Sequence, residues 1–219
     1  MVQIFRPGAD TVVRFVLASL ATVPVFAVGV AYAVWRSPYV TGQGVTREQP
    51  VPFSHAHHVG GLGLDCRYCH TSVEKAAFAG IPPTDTCMSC HSQIWTNAPM
   101  LAPVRTSLAE GRSLRWRRVH TLPGYVYFNH AVHVAKGVGC TTCHGEIQTM
   151  KLVRQAAPLT MGWCLDCHRD PAPNLRARDA VFDTAWTAPA DQAALGAQRL
   201  KEYHIRSPER LSECSLCHR

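Results

Sequence analysis

The stretch Phe128-Asn129-His130-Ala131-Val132-His133 is followed, about ten residues after its first histidine, by Cys140-Thr-Thr-Cys143-His144 and then by Cys164-Leu-Asp-Cys167-His168. The same order occurs earlier in the chain. Phe53-Ser54-His55-Ala56-His57-His58 precedes Cys66-Arg-Tyr-Cys69-His70 and Cys87-Met-Ser-Cys90-His91, and a fifth pentad, Cys214-Ser-Leu-Cys217-His218, lies near the C-terminal end. Each repeat therefore reads as an aromatic, an H-x-x-H pair, and two C-x-x-C-H pentads. All 10 cysteines fall in pentads, and none is left over.

That arrangement selects one chemistry. Cysteines scattered at this density would suggest a disulfide framework in an oxidising compartment. Two thiols three positions apart instead match the two vinyl groups of one haem, and the histidine that follows reaches its iron. A zinc knuckle would pair C-x-x-C units with a variable fourth ligand, and a thioredoxin-like redox pair needs a βαβ context that is missing here. Five pentads ending in histidine favour five covalent haem c groups, held by Cys66, Cys69, Cys87, Cys90, Cys140, Cys143, Cys164, Cys167, Cys214 and Cys217. The proximal iron ligands are then His70, His91, His144, His168 and His218.

Histidines at i and i+3 share one face of a helix, so the two rings can address two different irons. His55, His58, His130 and His133 are accordingly the expected distal ligands, and they would close four irons to substrate. His57, between better-placed neighbours, reads as a surface or hydrogen-bonding residue. The fifth distal ligand is open among His120, Met150 and Met161, with His204 a weaker candidate; a methionine would raise that haem's potential, while packing is the ordinary role of a buried Met.

Composition agrees with a cofactor-filled interior. The chain has 219 residues, 47% hydrophobic but only 8% aromatic, with the apolar residues concentrated at the N-terminus. Five haems beyond residue 36 amount to one per roughly 37 residues, so porphyrin faces would supply buried apolar area that side chains do not. The net charge of +7 is modest, and about ten haem propionates would offset most of it. Arg112, Arg115, Arg117 and Arg118 therefore read as propionate partners before they read as a docking patch, and nucleic acid is not an expected partner. There is no G-x-G-x-x-G, P-loop, Ser-His-Asp set or convincing carboxylate pair, which leaves nucleotide and hydrolytic chemistry unsupported.

From Phe15 to Trp35 the chain runs 21 residues without a charge, flanked by Arg6, Arg14 and Arg36. That length spans a bilayer as a helix. Ala31-Tyr32-Ala33 resembles a signal-peptidase site, but the apolar run is longer than a usual signal core, so a retained signal anchor is expected. Haem attachment to such pentads takes place outside the bacterial cytoplasmic membrane. This puts the N-terminus in the cytoplasm and the haem domain in the periplasm, with the anchor in the inner membrane. Pro24 predicts a mid-span kink, and the pairs Ala27 with Ala31 and Gly29 with Ala33 permit close packing against another helix.

The expected fold is mainly helical and irregular with little β structure: a cytoplasmic N-terminus and transmembrane anchor over 1–36, a linker over 37–52, and a haem-packed domain over 53–219. Within the last, 53–91 and 128–168 are the two-haem units and 169–219 carries the fifth haem, with a helix predicted from Asp191 to Tyr203. The F-x-H-x-x-H and C-x-x-C-H units resemble the class III multihaem cytochromes. One N-terminal helix, five pentads, Tyr127-Phe128-Asn129-His130 and Met161-Gly162-Trp163-Cys164 together resemble the membrane-anchored pentahaem subunit of alternative complex III.

That resemblance implies a non-catalytic electron-transfer subunit. It would work beside iron-sulfur and quinol-binding membrane subunits and pass electrons from quinol to a periplasmic cytochrome c or copper protein. The alternatives are a stand-alone membrane-anchored quinol dehydrogenase, a multihaem reductase with an open haem, and a soluble periplasmic shuttle. Pyridine haemochrome spectra scaled to protein by amino-acid analysis are expected to give five covalent haems per chain, and a count of four or fewer removes a pentad from the set.

Overall fold

The computed structural model describes Ile4 and residues 6–218, so the first residues of the expected cytoplasmic N-terminus lie outside the described residues. The chain divides into two units, one ending at Gln43 and one beginning at Gly44.

The first unit is α1 (Ala9–Trp35), a 27-residue helix that continues through Pro24, followed by the short turn α2 (Pro38–Thr41). At 1.5 Å per residue α1 is about 40 Å long, more than the roughly 30 Å of a hydrocarbon core. It begins six residues before the uncharged run, taking in Asp10 and Arg14, which pair at 2.8 Å. Within the span the Thr22 hydroxyl is satisfied locally, its Oγ1 donating to the Ala18 carbonyl at 2.9 Å. At the far end Arg36 Nη1 reaches the Tyr32 hydroxyl at 3.1 Å. The side chains of α1 are exposed almost throughout, including Phe15, Leu20 and Phe26, which suits a helix whose solvent is lipid.

The second unit is built from short helices and loops. In chain order they are α3 (Cys66–Cys69), α4 (Thr84–His91), α5 (Ala102–Glu110), α6 (His130–Ala135), α7 (Cys140–His144), α8 (Met161–Arg169), α9 (Gln192–Glu202), α10 (Pro208–Leu211) and α11 (Cys214–Cys217). Each pentad lies on or ends a helical turn, which sets its two thiols on one face. The turns begin where side chains can cap them. Asp65 accepts from the Arg67 N–H at 2.8 Å, Thr160 from Trp163 at 3.4 Å and Asn129 from Val132 at 3.4 Å. Among the described residues there is no strand, only the isolated bridges Thr46–Arg154, Val126–His218 and Val138–Leu175. α9 matches the helix predicted from Asp191 to Tyr203.

The repeats differ at their first turn. His130 and His133 lie on the α-helix α6, but after His55 the chain winds as a π-helix over Ala56–Gly61. The wide turn is closed by Leu62 N–H on His57 and Gly63 N–H on Val59. It lies so close to the Gln148 carbonyl that a Cβ on Gly60 would meet that oxygen at 2.4 Å. Only glycine allows this approach, and the approach holds the first repeat against the second.

Side chains form small clusters and no continuous interior. Val51, Leu101 and Val104 pack with Met88, Leu114 and Trp116 beside α4 and α5. At the other end Leu175, Val181 and Tyr203 are buried around Arg176, which is 3% exposed. Its Nη2 reaches Thr141 Oγ1 at 2.5 Å, its Nη1 the Asp183 carbonyl at 3.1 Å, and its guanidinium covers the Trp186 ring at 4.2 Å. Thr141 is a spacer of the third pentad, so Arg176 clamps that pentad to the C-terminal segment. α9 is seated by Gln192, whose amide donates to the Leu175 carbonyl at 2.8 Å, and by Gly196, whose absent Cβ would lie 2.3 Å from the Ala172 carbonyl. Gly196→Val is expected to destabilise the domain by about 1–3 kcal/mol through overpacking. A lowered thermal midpoint with unchanged visible absorbance at room temperature checks this.

Candidate functional site

In both repeats one phenylalanine orders two imidazoles. Phe53 stacks on His58 at 4.4 Å and 22° and meets His55 edge-on at 4.9 Å and 86°. Phe128 stacks on His133 at 4.6 Å and 28° and meets His130 edge-on at 4.7 Å and 89°. The repeat read in sequence is thus also a repeat in space, although one copy is a π turn and the other an α-helix.

Three of these rings face pentad histidines at one separation. His58 and His91 have centroids 6.2 Å apart, His130 and His144 6.4 Å, and His133 and His168 6.3 Å. Two imidazoles on opposite faces of one metal, each with a metal–nitrogen bond of about 2 Å, have centroids roughly 6 Å apart. The spacing therefore fits a metal held between each pair. For His55, the neighbouring ring that most lowers its pKa is that of His70, after burial itself.

The second ring nitrogens fix the tautomers. The Nδ1 of His58 donates to the Ser54 carbonyl at 2.9 Å, that of His70 to Gly80 at 2.7 Å, and that of His91 to Ile94 at 3.2 Å. His130 donates to Ala77 at 2.8 Å, His133 to Asn129 at 2.8 Å and His168 to Leu211 at 2.9 Å. A carbonyl can only accept, so these six rings carry their proton on Nδ1 and leave Nε2 bare for a metal. His144 differs, its Nδ1 lying 3.3 Å from His120 Nε2, and the buried Nδ1 of His55 has no partner.

Electrostatics favour the same state. Burial, with His70 and His58 nearby, pushes His55 down to about 4. Burial, with His120 and His130, pushes His144 down to about 3, and burial also lowers His133. Neutral imidazole is the metal-binding form.

The pentads neighbour one another in an order the chain does not follow. Spacers of the first two pentads meet where the Tyr68 hydroxyl and Ser89 Oγ lie 2.9 Å apart. The first and third meet where the backbone N–H groups of His130 and Ala131 donate to the Ala77 and Ala76 carbonyls, and Cys66 and Cys140 lie close enough to shift each other's thiol pKa, Cys66 downward and Cys140 upward. His130 and His133 on α6 link the third to the fourth. The fourth reaches the C-terminal segment through His168 on Leu211, and Cys217 lies near enough to Cys164 to add to the effect of burial in raising its thiol pKa. The pentads are thus joined as second, first, third, fourth, fifth.

The remaining candidates separate by surroundings. Met150 is enclosed, 1% exposed, and its carbonyl accepts from Ala56 N–H; Met161 opens α8 and is 65% exposed. His57 stacks on Trp95 at 5.9 Å, and His204 has a left-handed backbone whose carbonyl accepts from Lys136. His218 lies against the Tyr125 ring at 5.8 Å. In the basic run the Arg112 side chain pairs with Glu110 and that of Arg118 covers the Phe78 ring at 5.5 Å, while at Arg117 it is the backbone that Gln49 holds. Arg176 was absent from the sequence reading, because a lone arginine in a Pro/Ala-rich connector carries no motif. Among the described residues no three His, Cys, Asp or Glu side chains converge as a metal cluster, which a zinc knuckle would need.

Residues 126–219 match the family model described as cytochrome c7 and related cytochrome c. That stretch contains the second repeat from Phe128 and the last three pentads. The chain is also similar to the menaquinone reductase multihaem cytochrome c subunit of Nitratidesulfovibrio vulgaris, with 29% identity over 178 residues, 79% of this chain and 78% of that protein.

His58→Ala is expected to convert one iron to a high-spin form and His133→Ala another, each visible in low-temperature EPR of the oxidised protein. A fully low-spin spectrum in either variant removes that residue from the ligand set.

Proposed function

We propose that the chain is the membrane-anchored, five-haem electron-transfer subunit of a quinone oxidoreductase. The observation that carries this reading is the common separation of the three histidine pairs, with the Nδ1 of five of their six rings tied to carbonyls. Haem c, when bound, supplies reversible one-electron chemistry at iron. The protein's part is to hold and tune it. The ten pentad cysteines would anchor the macrocycles, and His70, His91, His144, His168 and His218 would ligate proximally. His55, His58, His130 and His133 would close the opposite faces, pairing with His70, His91, His144 and His168. For the fifth site Met161 is the better methionine, since the Met150 side chain is sealed by protein. Rings fixed on both sides change little between oxidation states and admit no substrate, which favours relay over catalysis.

The relay would run along the attachment sites from the second pentad to the fifth. α1 would anchor it in the inner membrane with the haem domain periplasmic. Ala27 and Ala31 line an apolar groove with Phe26, Val30 and Val34, a surface suited to a neighbouring membrane helix. The resemblance to the alternative complex III subunit favours quinol oxidation, with iron-sulfur and quinol-binding subunits as neighbours and a periplasmic cytochrome c or copper protein as acceptor. A second reading reverses the flow: the similar Nitratidesulfovibrio vulgaris protein is by name part of a menaquinone reductase.

Purification in mild detergent is expected to bring other membrane subunits with the chain. In that preparation, anaerobic stopped-flow mixing with menaquinol and separately with a reduced periplasmic cytochrome gives the direction of flow. A chain that migrates alone, with a high-spin haem that binds added ligands, overturns the relay reading.

A further inference from the structure

Six of the eight paired imidazoles are secured by a backbone carbonyl. His144 is secured by a side chain. Its Nδ1 faces His120 Nε2 at 3.3 Å, with the rings at 73° and their centroids 4.4 Å apart, while the opposite partner His130 lies at 6.4 Å and is tilted by only 13°. We propose that His120 is a positioning residue for His144: its Nε2 lone pair accepts the His144 Nδ1 proton, so that His120 orients an iron ligand and does not itself bind iron.

The inference rests on reading His144 as an axial ligand. Once His144 gives Nε2 to iron its proton must sit on Nδ1, which makes it the donor and His120 the acceptor. One nitrogen lone pair cannot serve a proton and an iron together, so the Nε2 of His120 is consumed. The geometry agrees, because an edge-to-face pair at 4.4 Å is too close to hold a metal between the rings. An imidazole nitrogen is also a more basic acceptor than an amide oxygen. The ligand it holds donates more strongly to ferric iron, which lowers that haem's potential relative to a carbonyl-tied counterpart. His120 lies in the connector between the repeats, and no ring plays the equivalent part at His70, whose Nδ1 donates to the Gly80 carbonyl.

The test uses the full haem-loaded chain in detergent, with His120→Ala, His120→Gln and His120→Leu compared by low-temperature EPR and a potentiometric titration of the visible bands. Glutamine can accept the same proton but is a poor haem ligand. His120→Ala is expected to keep every iron that is low-spin in the parent, to move the g-values of one haem, and to raise that haem's midpoint potential; His120→Gln returns both toward the parent. A new high-spin signal in His120→Ala that glutamine does not reverse makes His120 an iron ligand and overturns the proposal. Parent g-values and potentials in His120→Ala overturn it as well, leaving only a packing role. If the alanine variant does not accumulate, the leucine and glutamine variants decide by the same two readouts. His130→Ala tests the underlying pairing separately: if it leaves all irons low-spin, His130 is not the ligand opposite His144, and that pairing fails irrespective of what His120 does.

Discussion

An imidazole that ligates a metal must present one bare nitrogen in a fixed direction, and the surest way to do so is to hold the proton of the other nitrogen against an acceptor. Six rings of the second unit are held in a way that meets that requirement. Six rings donate Nδ1 protons to the carbonyls of Ser54, Gly80, Ile94, Ala77, Asn129 and Leu211. Gly80, Ile94, Ala77 and Leu211 lie in loops or at a helix end, whereas Ser54 and Asn129 each also accept a backbone N–H of the turn they open, from His58 at 3.2 Å and from His133 at 3.4 Å.

The same bonds tie the repeats together. The Ala77 carbonyl lies between the first two pentads and holds His130 of the second repeat, while Leu211, just before the fifth pentad, holds His168. Close backbone approaches reinforce this at Gly60 against Gln148 and at Gly196 against Ala172. Arg176 adds a buried cation that grips Thr141 of the third pentad from the C-terminal segment. The orientation of the His130 and His168 rings thus depends on chain far away in sequence. α1 is a unit of another kind, an exposed apolar helix whose few polar groups bond within it.

Much of this was legible in the sequence. The C-x-x-C-H spacing is a local chemical code, and H-x-x-H places two rings together on any single turn. The 21-residue uncharged run and the helix ending near Tyr203 follow from hydropathy and periodicity. The π-helix over Ala56–Gly61 was not legible, because the contact that favours it comes from Gln148, almost ninety residues away. Arg176 was hidden for a similar reason, having no local partner that marks it as buried. His120 was visible as a candidate ligand, but nothing in Arg117-Arg118-Val119-His120 tells that its ring meets His144.

The sequence by itself determined the chemistry of the sites: which thiols and rings exist, that they come in pentads and pairs, and that an apolar segment precedes them. These are properties of residues a few positions apart, where covalent geometry leaves little choice. Tertiary structure alone decided which ring faces which, at what separation, and that the pentads neighbour one another as second, first, third, fourth and fifth. That order rests on contacts such as Tyr68 with Ser89 and Cys66 with Cys140. Such contacts depend on how loops return through space, and no local spacing encodes that return.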